Sequence, residues 1–215
     1  MALPTIPAYA LPDAPPPSRA GWRLEPGRAA LLVHDMQRYF CRPFPAEGAP
    51  LAPAIANIAR LLAAARAVGI PVFYTAQRGD QFRPDRGLQA DLWGPGMSAI
   101  PEHEEILPEL APQEGDHVLH KHRYSAFQRS NLDHLMRARG RDQLLVTGIY
   151  AHIGCLATAA EAFQRDIQPF AAADAQADFD RARHDMAMGW IASNCGVVAT
   201  TAALLESIEQ IRTTA

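Results

Sequence analysis

Residues 29–35, AALLVHD, form a short apolar run closed by His34 and Asp35. A run of this length with a polar end reads as a strand buried on both faces, the habit of strands inside a parallel sheet. Outward from it, residues 51–68 place Leu51, Ile55, Ile58, Leu62 and Ala65 on one helical stripe, and Gly69 followed by Pro71 supplies the stop. IPVFYTAQ (70–77) is then a second strand. HVLHK (117–121), DQLLVTGIY (142–150), QPFAAADA (168–175) and CGVVATT (195–201) follow as further strands. Helices are expected over NLDHLMRARG (131–140), after a turn within AHIGCLATAAEAFQRD (151–166), over 181–193 and over ALLESIEQI (203–211). This alternation predicts βαβ units, and with them an α/β fold with a mostly parallel sheet and helices on both faces.

In such sheets ligands bind beyond the carboxyl ends of the strands, near the switch in strand order. Asp35, Gln77, Lys121 and Tyr150 each fall at the predicted carboxyl end of a different strand and therefore converge. A carboxyl group emerging against apolar walls is suited to acid or base work, although an Asp there could equally cap the next helix. Lys121 alone would pass for a solvated surface charge; beside Asp35 it becomes an electrostatic partner or a clamp for a substrate carboxylate. The segment 78–97, RGDQFRPDRGLQADLWGPGM, is rich in Gly, Pro and charge and is expected to be a long loop with a helical turn, walling the site with Arg86 and Trp93. Gly154 could open a helix whose N–H groups face an anion, or be a plain turn glycine. Cys155, near that helix start, could be a thiol with a depressed pKa or a buried small hydrophobe. Cys41 and Cys195 read as core residues.

Composition narrows the function classes. At 215 residues, 48% hydrophobic and 20% charged, the chain reads as one globular domain, residues 21–215, preceded by a proline-rich arm over 1–20 that Tyr9 and Leu11 could anchor. A net charge of −3 and the absence of a Lys/Arg cluster argue against nucleic acid as a partner. Neither a signal peptide nor a transmembrane run is expected, which points to the cytoplasm and to no membrane partner. Three scattered cysteines imply neither a disulfide framework nor a zinc knuckle, and no H-E-x-x-H helix, G-x-G-x-x-G or P-loop is present, so no metal and no cofactor are expected.

Several ordered blocks bear a stronger signal together. LPDAPPP with WRLEPGR (22–28), LLVHDMQRYF, YTAQ, RGLQADLWGPGM, RYSAF, GIYAHIGC, and DIQPF with ADAQADF resemble, over nearly the whole chain, the isochorismatases, a metal-free branch of the isochorismatase-like hydrolases. The resemblance implies a three-layer Rossmann-like fold with a six-stranded sheet. It further implies Asp35 as catalytic acid with Lys121 beside it, and substrate contacts from Phe40, Gln77, Arg86, Trp93, Tyr150 and the Gly154 backbone. It implies a cis peptide at Ile149-Tyr150 and a homodimer, which the arm could serve by reaching a neighbour. In the superfamily's cysteine hydrolases the nucleophile aligns with Gly154 and not with Cys155, so thiol catalysis is expected to be lost. His122 stands where related isochorismatases carry Trp. A chain of this length leaves no room for the carrier domain fused to some siderophore members, and QRYFCRPFP after Asp35 looks more like the phenazine-pathway members. The implied reaction is hydrolysis of the enol-pyruvyl ether of a carboxylated cyclohexadiene, isochorismate or 2-amino-2-deoxyisochorismate, without a covalent intermediate. A cysteine-dependent amidase and a non-catalytic subunit of a biosynthetic complex are the competing expectations.

Overall fold

A computed structural model describes residues 3–209. In chain order the elements are β1 (Ala29–His34), α1 (Arg38–Cys41), α2 (Leu51–Ala67), β2 (Val72–Ala76), α3 (Arg83–Arg86), α4 (Gln89–Trp93), α5 (Pro101–Glu104), β3 (His117–His120), α6 (Leu132–Ala138), β4 (Gln143–Ile149), α7 (Leu156–Gln164), β5 (Gln168–Ala177), α8 (Arg181–Asn194), β6 (Val197–Ala199) and α9 (Thr201–Glu209). The six strands form one sheet in the order β3-β2-β1-β4-β5-β6, every neighbouring pair parallel. Strand order reverses between β1 and β4, which opens a crevice beyond their carboxyl ends.

Alternation along each strand feeds two cores. Leu31, Val33, Tyr74 and Leu145 face Ile58, Leu61 and Leu62 of α2, while Ala30, Leu32, Phe73, Leu144 and Val146 face Met136 of α6 and Ala162 of α7. Each fully buried Leu or Ile of α2 stabilises the fold by roughly 1.5–3 kcal/mol. The expected stripe of α2 is rotated slightly: Ala54 and Leu61 are buried and Ile55 is only partly so. Gly69, at φ +71, ends the helix in the left-handed conformation that a helix stop favours.

Several elements depart from the sequence expectation. The loop 78–97 holds two short helices, α3 and α4, each followed by a glycine at positive φ. β5 runs to Ala177, past the expected end at 175, because a register shift opposite Val146 and Gly148 lets it bend without ending. β6 is only three residues, since Gly196 and Thr200 flank a strand pairing with β5 alone. Of the expected terminal helix, Gln210 and Ile211 lie outside the described residues.

The arm lies along its own domain. Ile6 is buried in the core and its N–H donates to the Pro43 carbonyl at 3.0 Å. The Tyr9 hydroxyl accepts from the Asp178 N–H at 2.7 Å and lies 3.1 Å from His184 Nδ1. Ser18 Oγ accepts from the Val198 N–H, and the Arg19 N–H donates to the Ala192 carbonyl. Leu11 packs partly buried against the core. These contacts seat the arm on its own domain, and its Leu3 reaches the crevice. No described helix is long and apolar enough to cross a membrane.

Candidate active site

β1 delivers Asp35 to the crevice, where the residue turns out of the strand at φ +50. Thr75 of β2 holds it twice: its hydroxyl accepts from the Asp35 N–H at 3.0 Å and donates to Oδ1 at 2.7 Å. The other carboxylate oxygen, Oδ2, lies 3.0 Å from Lys121 Nζ and 3.4 Å from Gln77 Nε2. Both charged residues are buried, Asp35 at 7% exposure and Lys121 at 2%, so each requires the other. Burial is the largest influence on the Asp35 carboxyl and raises its pKa. The Lys121 charge and the hydrogen bonds from Lys121 and Thr75 hold it below the ordinary carboxylate value.

Lys121 is not free to clamp a substrate. Besides Asp35, its ammonium donates to the Arg123 carbonyl at 2.8 Å and the Tyr124 carbonyl at 3.1 Å, which engages all three of its protons. Arg86 is placed differently. It is 7% exposed, its Nε donates to the Gly94 carbonyl at 2.7 Å, and it forms no ion pair among the described residues. Burial lowers its pKa. A carboxylate would pair with it in bidentate fashion.

Aromatic rings form part of the walls. Phe40 of α1 and Trp93 of α4 line the cleft, the Trp93 ring edge-on to Phe179 and its Nε1 donating to the Tyr124 hydroxyl at 2.7 Å. Tyr150 lines it too, but its hydroxyl donates to the Phe40 carbonyl at 2.6 Å, so it offers a ring face in place of a free donor. Ile149-Tyr150 is cis, as expected. Gln77 is anchored through its backbone by Gln37, whose buried amide accepts from the Gln77 N–H at 2.7 Å and donates to its carbonyl at 2.8 Å.

Gly154 does not open the helix. It is the fourth residue of a π-helical turn over Ala151–Cys155, capped by Tyr150. Its lack of a side chain has a different cause: a Cβ there would stand 2.1 Å from His34 Cε1. His34 fills the space that a side chain at 154 would need. The imidazole is wholly buried, 2.9 Å from the Ile149 carbonyl through Nδ1, and burial lowers its pKa to about 4, so the ring is neutral. Gly148 serves the same crowded spot from β4, since a Cβ there would meet the His34 carbonyl at 2.2 Å.

Cys155 faces the other way. Its sulfur is fully buried and lies 3.9 Å from the Thr147 carbonyl, outside the cleft lining, and burial pushes the thiol well above its ordinary pKa. The depressed thiol considered from its position at a helix start is therefore overturned, because desolvation dominates. Cys41 and Cys195 are buried as well. His122 does not line the cleft, so its departure from Trp does not change the cleft wall directly. Among the described residues no group of three or more His, Cys, Asp or Glu is placed to hold a metal.

Sequence reading missed His34, Thr75, Tyr124 and Phe179 as site residues. His34 and Thr75 carried a signal, polar residues inside otherwise apolar strands, whereas Tyr124 and Phe179 arrive through loops whose course only the fold fixes.

The family model for the isochorismatase domain matches residues 29–203. The chain belongs to the isochorismatase family. It is 48% identical over 211 residues to the isochorismatase of Bacillus subtilis, covering 97% of this chain and 68% of that protein. It is 50% identical over 206 residues to phenazine biosynthesis protein PhzD1 of Pseudomonas aeruginosa, covering 95% of this chain and 99% of that one. The crystal structure of a cysteine hydrolase from Pseudomonas syringae pv. phaseolicola superposes with a TM-score of 0.81 at 30% identity, covering 91% of this chain and 98% of the other. The chain is thus a hydrolase with the α/β fold of this family.

Proposed function

We propose that this isochorismatase-family hydrolase splits the enol-pyruvyl ether of isochorismate or 2-amino-2-deoxyisochorismate, releasing pyruvate and a dihydroxylated or amino-hydroxylated cyclohexadiene carboxylate. The observation that carries this reading is the buried Asp35–Lys121 pair, 3.0 Å apart, in a cleft rich in aromatic rings where a further cation, Arg86, has no carboxylate partner among the described residues. One proton donor, one anion receptor and apolar walls are the apparatus that vinyl ether hydrolysis needs. Asp35 transfers a proton to the terminal methylene carbon, and the π electrons of the ether form the new C–H bond, leaving an oxocarbenium ion. Water adds to the carbon that bears the ether oxygen and its surplus proton returns to Asp35; the C–O bond to the ring then breaks as the hemiketal hydroxyl becomes the ketone of pyruvate, its proton passing to the ring oxygen to leave the ring alcohol. General acid catalysis contributes about 10²- to 10⁴-fold.

Asp35 is ionised in the free cleft, so it must gain a proton first. A substrate with two carboxylates brings negative charge beside it, and like charge raises a carboxyl pKa. Binding of substrate therefore favours loading of the acid. In this reading Arg86 takes a substrate carboxylate, Phe40, Trp93 and Tyr150 sandwich the ring, Gln77 keeps Oδ2 oriented, and the Gly154 backbone borders the ether. The thiol of Cys155, buried in the core and away from the cleft lining, supports a route without a covalent intermediate. A homodimer in the cytoplasm is part of the proposal; sedimentation at micromolar concentration tests the first half. Incubation with each substrate and measurement of pyruvate tests the reaction. Release from at least one supports it, release from neither overturns it, and the preferred substrate fixes the ring substituent.

A further inference from the structure

We infer that Arg123 is a positioning residue that holds Arg86 in the cleft, an inference that rests on Arg86 receiving the substrate carboxylate. Helix α3 is a single turn that ends at Arg86, so its last carbonyls have no partners within the helix. Arg123 supplies them from across the cleft mouth. Its Nη1 donates to the Asp85 carbonyl at 2.7 Å and approaches the Arg86 carbonyl at 3.4 Å, while also meeting the His122 carbonyl at 2.6 Å. The next residue, Gly87, lies at φ +58, and a Cβ there would stand 3.0 Å from Arg123 Nη2, so the backbone leaves room for the guanidinium. Exposed Arg129 adds a weaker contact to the Asp85 carbonyl at 3.3 Å.

The same short segment carries the other half of the site. The carbonyl of Arg123 accepts from Lys121 Nζ, so one residue is bonded through its backbone to the cation that holds the acid and through its side chain to the turn that carries the anion receptor. All three contacts run through Nη1, whose two protons serve the nearer Asp85 and His122 carbonyls while the Arg86 carbonyl lies farther off. The side chain of Arg123 is absent from the cleft lining, so its influence on substrate passes through Arg86.

The experiment is a double-mutant cycle with an activity-independent companion. R123A is expected to raise KM about tenfold or more with kcat changed less than about threefold, and R123K to recover only part of the loss. In the R86A background R123A should add less than about twofold, because the residue it positions is gone. Hydrogen exchange read by mass spectrometry should quicken over residues 78–97 in R123A while residues 29–35 and 143–149 keep wild-type protection. An unchanged KM, full additivity with R86A, or unaltered exchange over 78–97 overturns the inference. If neither proposed substrate is turned over by the wild type, the functional reading fails while the exchange measurement still decides whether Arg123 holds the turn.

Discussion

Replacing Gly154 with Ala tests the reading that His34 occupies the space of a side chain at 154. The new Cβ would lie 2.1 Å from His34 Cε1, 2.8 Å from Nε2 and 2.9 Å from Nδ1, so the ring must move by more than 1 Å to restore van der Waals contact. It has nowhere to go: it is 0% exposed, its Nδ1 is 2.9 Å from the Ile149 carbonyl and 3.7 Å from Asp35 Oδ2. Overpacking a rigid core costs about 1–3 kcal/mol, and a lost buried hydrogen bond adds about 1 kcal/mol. The expected destabilisation is about 2–4 kcal/mol, a fall in Tm of roughly 4–16 °C for a domain of this size. Thermal melting followed by circular dichroism gives the value for Gly154→Ala, His34→Ala and the double variant. In the His34→Ala background the alanine at 154 should cost less than about 1 kcal/mol, because the clash has been removed. A Gly154→Ala protein that melts within a degree of wild type, or a double variant in which the two losses simply add, would refute the reasoning.

Cys155→Ala should retain kcat within about threefold, because its sulfur faces the Thr147 carbonyl and not the cleft; pyruvate release measures this, and an inactive variant would restore the thiol route. The free enzyme holds Asp35 below its ordinary pKa, so the protonated acid becomes scarcer as pH rises, and kcat/KM should fall about tenfold per pH unit between pH 6 and 8. A profile that is flat or rises over that range contradicts the assignment. His34, with its pKa lowered to about 4, is taken up as a cation by the unfolded chain below about pH 6.5 but not by the folded one until about pH 4. Stability is therefore full above pH 6.5 and is lost as pH falls towards 4, by about 3 kcal/mol from this residue. Urea denaturation at pH 7 and pH 4.5 checks it, and equal midpoints would be incompatible with a neutral buried ring.

The sheet was legible because its central strands are apolar on both faces, and AALLVHD and DQLLVTGIY stand out against the more polar segments around them. The convergence of Asp35, Gln77, Lys121 and Tyr150 followed from the same reading, since side chains at the carboxyl ends of parallel strands must meet. Roles within the cleft were less legible. That all three protons of Lys121 are engaged depends on the course of residues 121–124, and nothing in HKHRY encodes it locally. Gly154 carries no sign of its reason, because the imidazole that excludes a side chain there comes from 120 residues earlier in the chain. The arm was legible in part: Tyr9 and Leu11 anchor it as their residue types suggested, but prolines announce an extended chain and not the surface it lies on. Ile6, one apolar residue among them, anchors the segment that brings Leu3 to the cleft.

The central claim is that the carboxyl group of Asp35 protonates the substrate, and Asp35→Asn tests it most directly. Asparagine keeps the shape of the side chain and can still meet Thr75 and Gln77, yet has no carboxylic proton to give. Steady-state pyruvate release from the folded variant should show kcat reduced at least about a hundredfold with KM changed little, the pattern of a lost general acid. An Asp35→Asn enzyme that keeps more than about a tenth of the wild-type kcat would contradict the account.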